Sequence, residues 1–175
     1  MTDNQNEMLP VVDSTGNVIG STTRAIAHSG SMLLHPVVHL HVFNSNGELY
    51  LQKRPSWKDI QPDKWDTACG GHVDLGEDVD TALMREVKEE LGISDFKPHF
   101  ITRYTFKSMK EKELVNVFTT TYNGELSPSE ELDGGKFWST EKISESIGKG
   151  VLTPNFENEF KTIILPYILA GAKKD

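Results

Sequence analysis

Residues Val79 to Leu91 place the strongest constraint on how this 175-residue chain can fold. Asp78 stands where an N-cap side chain accepts a backbone N–H, and Gly92 stands where helices commonly end in the left-handed region. At about 100° per residue, Val79, Ala82, Leu83 and Val87 line up as one apolar stripe, which predicts a helix packed against a sheet. Glu86 and Glu90 fall inside that stripe and Glu89 falls at its edge. Runs of charge usually face water, here pairing with Arg85 and Lys88. Their place in the stripe instead predicts that the three carboxylates converge on one point. Burying carboxylates is costly unless cations compensate them, and oxygen ligands of this kind suit Mg²⁺ or Mn²⁺.

The charge balance agrees. The chain has 18 Lys and Arg against 26 Asp and Glu, a net charge of −8, and Gly71 to Ile93 alone holds seven acidic and two basic side chains. Such a balance disfavours a nucleic acid polymer or an anionic membrane as partner. A phosphorylated substrate needs a cation between it and this surface. The single cysteine, Cys69, rules out internal disulfides and Cys-rich zinc sites and fits a reducing compartment. Met1 to Pro10 lacks the pattern of a signal peptide, and the apolar run Ile163 to Ala170 is broken by Pro166 and falls short of the roughly 20 residues a membrane helix requires. The expectation is a cytoplasmic protein.

Residues 1–175 read as one domain, with an N-terminal arm over residues 1–30 that carries a small hairpin around Thr15-Gly16-Asn17. Strand patterns run from Val37 to Phe43 and Glu48 to Arg54 about an Asn44 to Gly47 turn, then over Trp65 to Cys69, Phe100 to Phe106 and Leu114 to Tyr122. Helical spacing returns at Glu141 to Ile147 and at Phe156, Phe160, Ile163, Ile164 and Tyr167. The mixture predicts an α/β fold, a mixed β-sheet between helices. Trp57, Trp65, Phe137 and Trp138 are expected in the core or a pocket wall, Cys69 as a small buried strand residue, and His39 and His41 on one strand face in structural or surface roles. Pro128 to Asp133 reads as a solvated acidic loop.

The segment Gly71-His-Val-Asp-Leu-Gly-Glu77, followed after seven residues by Arg85-Glu86-Val87-Lys88-Glu89-Glu90-Leu91-Gly92-Ile93, matches every position of the Nudix box. By this motif the chain resembles the Nudix hydrolase family. The resemblance implies an α/β/α sandwich and a divalent cation held by the loop–helix–loop of residues 71–93. It also implies hydrolysis of a phosphoanhydride bond in a small diphosphate-containing substrate by water attack at phosphorus. Carried over by position, Glu86, Glu89 and Glu90 would ligate or work beside the metal, the Gly70 carbonyl would complete its shell, and Arg85 with Glu77 would hold helix and loop in register.

Outside the box the chain is also similar to isopentenyl-diphosphate isomerase, a relative on the same fold. Arg24 to His28, Leu34-His35, Gly71-His72 and Glu111-Lys-Glu113 parallel that family's metal site of three histidines and two glutamates. The likeness implies a second divalent metal at His28, His35, His72, Glu111 and Glu113, and substrate contacts at Arg24, Arg54 and Lys58. One departure matters: the isomerase cysteine aligns with Gly70, whereas Cys69 lies one residue earlier and on a strand points to the other face. A hydrolase is the leading reading. An isomerase, or a diverged relative of one, is the alternative, and a non-catalytic binding module of the same fold is the third. The oligomeric state is left open, and a homodimer is compatible with the sequence.

Overall fold

A computed structural model of the chain describes residues 4–58, 61–129 and 133–171. Strands β1 (Met8–Val12) and β2 (Val18–Thr23) form the expected antiparallel hairpin, whose turn is held by Asp13 Oδ1 accepting from the backbone N–H groups of Thr15 and Asn17. A short helix, α1 (Arg24–Ala27), follows and ends at His28.

Seven strands make the main sheet: β3 (Leu34–Phe43), β4 (Leu49–Lys53), β5 (Trp65–Thr67), β6 (Cys69–His72), β7 (His99–Lys107), β8 (Lys112–Thr121) and β9 (Gly135–Trp138). Their order is β5-β4-β3-β8-β7, with β6 paired to β3 and β9 to β4. The central β3–β8 pair is parallel and the others are antiparallel, so the sheet is mixed.

Side chains alternate across each strand, and the two sets bury different helices. Val38, Leu40 and Val42 pack with Phe118 against Ala82, Leu83, Val87 and Leu91 of α2 (Val79–Leu91). Val37 and Phe43 pack with Val115 and Val117 against Ile143 of α3 (Thr140–Ser146) and against the C-terminal helical segment. The result is the expected α/β/α sandwich. Both ends of α2 fall where the caps placed them: Asp78 Oδ1 accepts from Thr81 N–H at 2.7 Å, and Gly92 takes φ 72°.

Three expectations change, and one strand is added to those expected. The stretch Trp65 to Cys69 is not one strand; it breaks at Ala68, and β5 joins β4 while β6 crosses to β3. Phe137 and Trp138 belong to a strand, β9, too short for periodicity to reveal. The C-terminal helical spacing spans α4 (Pro154–Glu159), a π-helical turn (Phe160–Ile164) and α5 (Leu165–Leu169), the widened turn preceding Pro166, which has no N–H to donate. Trp57 is 46% exposed, with Lys58 Nζ 4.8 Å from its ring centroid, rather than packed in a core. Within the acidic loop, residues 130–132 lie outside the described residues. Among the described residues no helix is long and apolar enough to cross a membrane.

Candidate active site

Helix α2 draws Glu86 and Glu90 into the protein on its sheet-facing side. Burial pushes the Glu86 carboxyl up, partly offset by Arg85, and burial with the adjacent Glu86 charge pushes Glu90 well above the ordinary carboxylate range. Glu90 accepts from Cys69 Sγ at 3.1 Å and from the backbone N–H of Gly70. Glu89 does not join the pair: its side chain is 59% exposed and lies 3.4 Å from Arg85 Nη1. The expected convergence of three carboxylates is therefore a convergence of two. Glu89 sits just past the stripe, where the guanidinium draws it outward.

Arg85 and Glu77 meet as the resemblance implied. Arg85 Nε and Nη2 donate to the two Glu77 oxygens at 2.8 and 2.9 Å, Nη1 donates to Glu86 at 2.9 Å, and Nη2 also reaches the His72 carbonyl at 3.1 Å. Glu77 Oε1 accepts the Asp74 N–H at 3.0 Å, so one guanidinium fixes loop, strand end and helix together. A bidentate pair of this kind fixes geometry as well as energy. Buried acid offset at Glu86 by Arg85 alone, and at Glu90 by no cation, is a donor set that fits a divalent cation.

Strand β6 separates two environments. A Cβ at Gly71 would lie 2.2 Å from Glu86 Cδ, so the absence of a side chain there makes room for the carboxylate. A Cβ at Gly70 would instead meet His39 Cδ2 at 3.3 Å on the opposite face. Cys69 lies on the α2 side with Glu90, facing away from the position-70 side as the alternation required.

His72, at the end of β6, meets His28 and His35 with ring centroids 5.2 to 5.6 Å apart. The parallel β3–β8 register sets His35 opposite Glu113, two residues from Glu111. Donor atoms of His28, His35 and His72, and again of His35, Glu111 and Glu113, lie within 4.8 Å of one another. His28 Nε2 is 2.9 Å from Glu111. His35 Nδ1 donates to the Leu33 carbonyl at 3.1 Å, which fixes the tautomer and leaves Nε2 with its lone pair. That nitrogen is buried without a hydrogen-bond partner, 4.0 Å from Glu113. Burial pushes the His35 and His72 imidazoles down, toward the neutral form, and burial beside Glu111 raises Glu113 to about 7. An imidazole with one nitrogen anchored and one open, as at His35, is what a borderline metal such as Zn²⁺ or Mn²⁺ takes.

The three expected cationic contacts have separate partners. Arg24 Nη1 bonds Glu7 at 3.0 Å and approaches His72 Nδ1 at 3.3 Å, Arg54 lies 3.8 Å from Asp66, and Lys58 sits over Trp57. Sequence reasoning passed over a fourth group. Glu159, 1% exposed, accepts from His39 Nδ1 at 2.9 Å, His41 Nε2 at 2.5 Å and Tyr104 O–H at 2.6 Å. The signal was available: Glu159 follows Phe156 by three and precedes Ile163 by four, a carboxylate in an apolar stripe as in α2.

A mixed sheet sandwiched by helices, with an acidic loop–helix–loop locked to one face by an arginine, defines a particular class of protein. The chain belongs to the NUDIX domain family, whose model matches residues 33–156. An uncharacterized Nudix hydrolase of Listeria innocua is 35% identical over 127 residues, covering 70% of this chain and 74% of that protein. Isopentenyl-diphosphate Delta-isomerase 1 of Photorhabdus laumondii is 28% identical over 167 residues, covering 90% and 95%. Among solved structures, a Deinococcus radiodurans protein superposes with a TM-score of 0.72 at 22% identity over 84% of this chain and 92% of its own, a likeness of fold. A MutT protein of Methanosarcina mazei gives 0.63 at 26% identity over 73% and 91%.

Proposed function

We propose that this chain is a metal-dependent hydrolase that cleaves a phosphoanhydride bond in a small diphosphate-containing substrate by water attack at phosphorus. The observation that carries the reading is the buried Glu86–Glu90 pair, set against Gly71 and locked by Arg85 and Glu77. A binding module has no use for two buried carboxylates in an apolar stripe that share a single guanidinium, the one that bonds Glu86. Glu86 and Glu90, with Glu89 and the Gly70 carbonyl at hand, would hold Mg²⁺ or Mn²⁺, which when bound neutralises phosphate oxygens and acidifies an attacking water. A carboxylate of this group takes the water's proton. Arg85 and Glu77 hold the helix in register, and Arg24, Arg54 and Lys58 are the cations we assign to the substrate phosphates. We read residues 1–175 as a single cytoplasmic domain acting on a small molecule, with neither a nucleic acid polymer nor a membrane as partner.

A second reading, an isopentenyl-diphosphate isomerase or a diverged relative, is favoured by the cluster of His28, His35, His72, Glu111 and Glu113, which would hold a second divalent metal. Against it stands Gly70, where a thiol acid/base group is missing. A panel of diphosphates incubated with Mg²⁺ or Mn²⁺ separates the two readings. Hydrolysis predicts release of phosphate or pyrophosphate carrying solvent oxygen, whereas conversion of isopentenyl to dimethylallyl diphosphate without release overturns it.

A further inference from the structure

Gln52 stands in β4 with only 8% of its surface exposed, and its amide Oε1 is buried without a hydrogen-bond partner. A buried acceptor left unpaired costs stability, and the ladder gains nothing from it, since backbone groups alone make the strand pairing. Leucine or methionine would fill the same place without that cost. The fold by itself gives no reason for a glutamine here.

Its place in the sheet supplies one. Leu49 and Leu51 pack toward the C-terminal helical segment, whereas Tyr50 shares a cluster with Cys69, Val87 and Leu91, so alternation turns Gln52 to the α2 side as well. That is the side of Glu86 and Glu90. Gln52 pairs with Asp66 of β5, and after the break at Ala68 the chain enters β6, where Cys69 meets Glu90 and Gly71 makes room for Glu86. Neither cross-strand neighbour satisfies the amide oxygen. Gly135 of β9 has no side chain, and the Asp66 carboxylate is itself an acceptor, taken by Thr67 N–H at 2.7 Å and Thr153 O–H at 3.0 Å, with Arg54 3.8 Å away. Arg54 carries the β4 ladder one step further, its N–H donating to the Lys64 carbonyl at 2.9 Å. The orphaned acceptor thus shares one side of the sheet with the cation assigned to the phosphates and the carboxylates assigned to the metal.

We propose that Gln52 is a specificity-determining residue, whose Oε1 accepts from an N–H or O–H of the organic moiety attached to the diphosphate. The proposal rests on the reading of the substrate as a diphosphate held at Glu86 and Glu90. Ionised phosphate oxygens only accept and do not pair with Oε1, and a hydrocarbon chain offers no donor. A sugar or a heterocyclic base offers several. A site that sets a buried acceptor against its substrate rejects an analogue lacking the donor, because the acceptor then stays unpaired. The class selected is a diphosphate of a hydroxyl- or amino-bearing moiety, over that of a prenyl chain.

The deciding variant is Gln52→Met, which matches glutamine in length and removes both polar atoms. Turnover and, by titration calorimetry, binding of ADP, UDP and isopentenyl diphosphate are measured with Mg²⁺ on the full chain. The wild type is expected to favour ADP or UDP over isopentenyl diphosphate by about 100-fold in kcat/KM, and Gln52→Met to cut that ratio at least about ten-fold while melting no lower. A matching loss on the 2′,3′-dideoxy nucleotide assigns the donor to a sugar hydroxyl, and retention assigns it to the base. A ratio unchanged in Gln52→Met, the result if a water or packing alone engages the amide, overturns the proposal. Should Gln52→Met not fold, Gln52→Leu takes its place. A wild type that hydrolyses isopentenyl diphosphate as well as either nucleotide overturns the proposal and leaves the hydrolase reading standing. Selective binding of ADP or UDP that Gln52→Met abolishes, with no hydrolysis by the wild type, upholds the contact and refutes the hydrolase reading instead.

Discussion

At the scale of single residues, the chemistry turns on carboxylates whose environments differ though their sequence contexts look alike. Glu86 and Glu90 are buried with raised carboxyls, whereas Glu89, one residue from Glu90, is drawn out by Arg85. Glu86→Gln and Glu90→Gln should each lower kcat/KM by about 100-fold or more, because the lost charge is needed where phosphate charge is neutralised. Circular dichroism should show an unchanged fold, and the metal-free Glu90→Gln protein should melt no lower than the wild type, since an uncompensated buried carboxylate costs stability. Glu159 is the opposite case: His39 and His41 outweigh its burial and hold the carboxyl well below the usual range. A lowered carboxyl contributes stability above its ordinary value near 4.5 and loses it as pH falls, and the raised His39 contributes below its ordinary 6.5 and loses it as pH rises through about 9. Glu159→Gln should therefore cost about 3 kcal/mol or more. In denaturant melts the gap from the wild type should be widest between those ordinary values and narrow on both sides.

At the scale of elements, strand β6 is what holds the two faces apart. Its alternation sends Cys69 and Gly71 toward α2, and Gly70 and His72 toward the histidines. Gly71→Ala places a methyl 2.2 Å from the Glu86 carboxyl carbon. The contact is with the end of a flexible side chain, so Glu86 swings aside at a cost of about 1–3 kcal/mol. Activity should fall nearly as far as in Glu86→Gln. Gly70→Ala meets His39 at 3.3 Å, a few tenths of an ångström too close, and should retain more activity than Gly71→Ala in the same assay. The order of the two variants is the check, and the reverse order would mean that Glu86 is not held as described.

At the scale of the whole molecule, the histidine cluster joins the N-terminal arm to the sheet. His28 comes from the segment after the hairpin, His35 and His72 from two strands, and Glu111 and Glu113 from around the start of β8. A metal there would cross-link parts of the fold far apart in the chain, so a chelator should lower the melting temperature of the wild type by several degrees. It should lower that of the His28→Ala, His35→Ala double variant less. His35 and His72 must be deprotonated to bind, and burial lowers both, so metal affinity at this site should weaken as pH falls below the ordinary imidazole value of 6.5, read by titration of the two proteins side by side.

What the sequence alone determined are the features set by neighbours in the chain. Asp78 and Gly92 bounded α2 because caps act within one turn. Alternation along a strand predicted that Cys69 and position 70 face apart, whereas the pairing of Arg85 with Glu77 came from the family resemblance of the box. Resemblance, rather than spacing, brought the three histidines together. Tertiary structure decided the rest: that two carboxylates meet and the third does not, that the chain breaks at Ala68 to send β6 to β3, and that Glu159 reaches His39 across 120 residues. The physical reason is range. Caps, turns and periodicity are local, but which side chain faces which depends on strand register and helix placement, fixed only when the whole core packs.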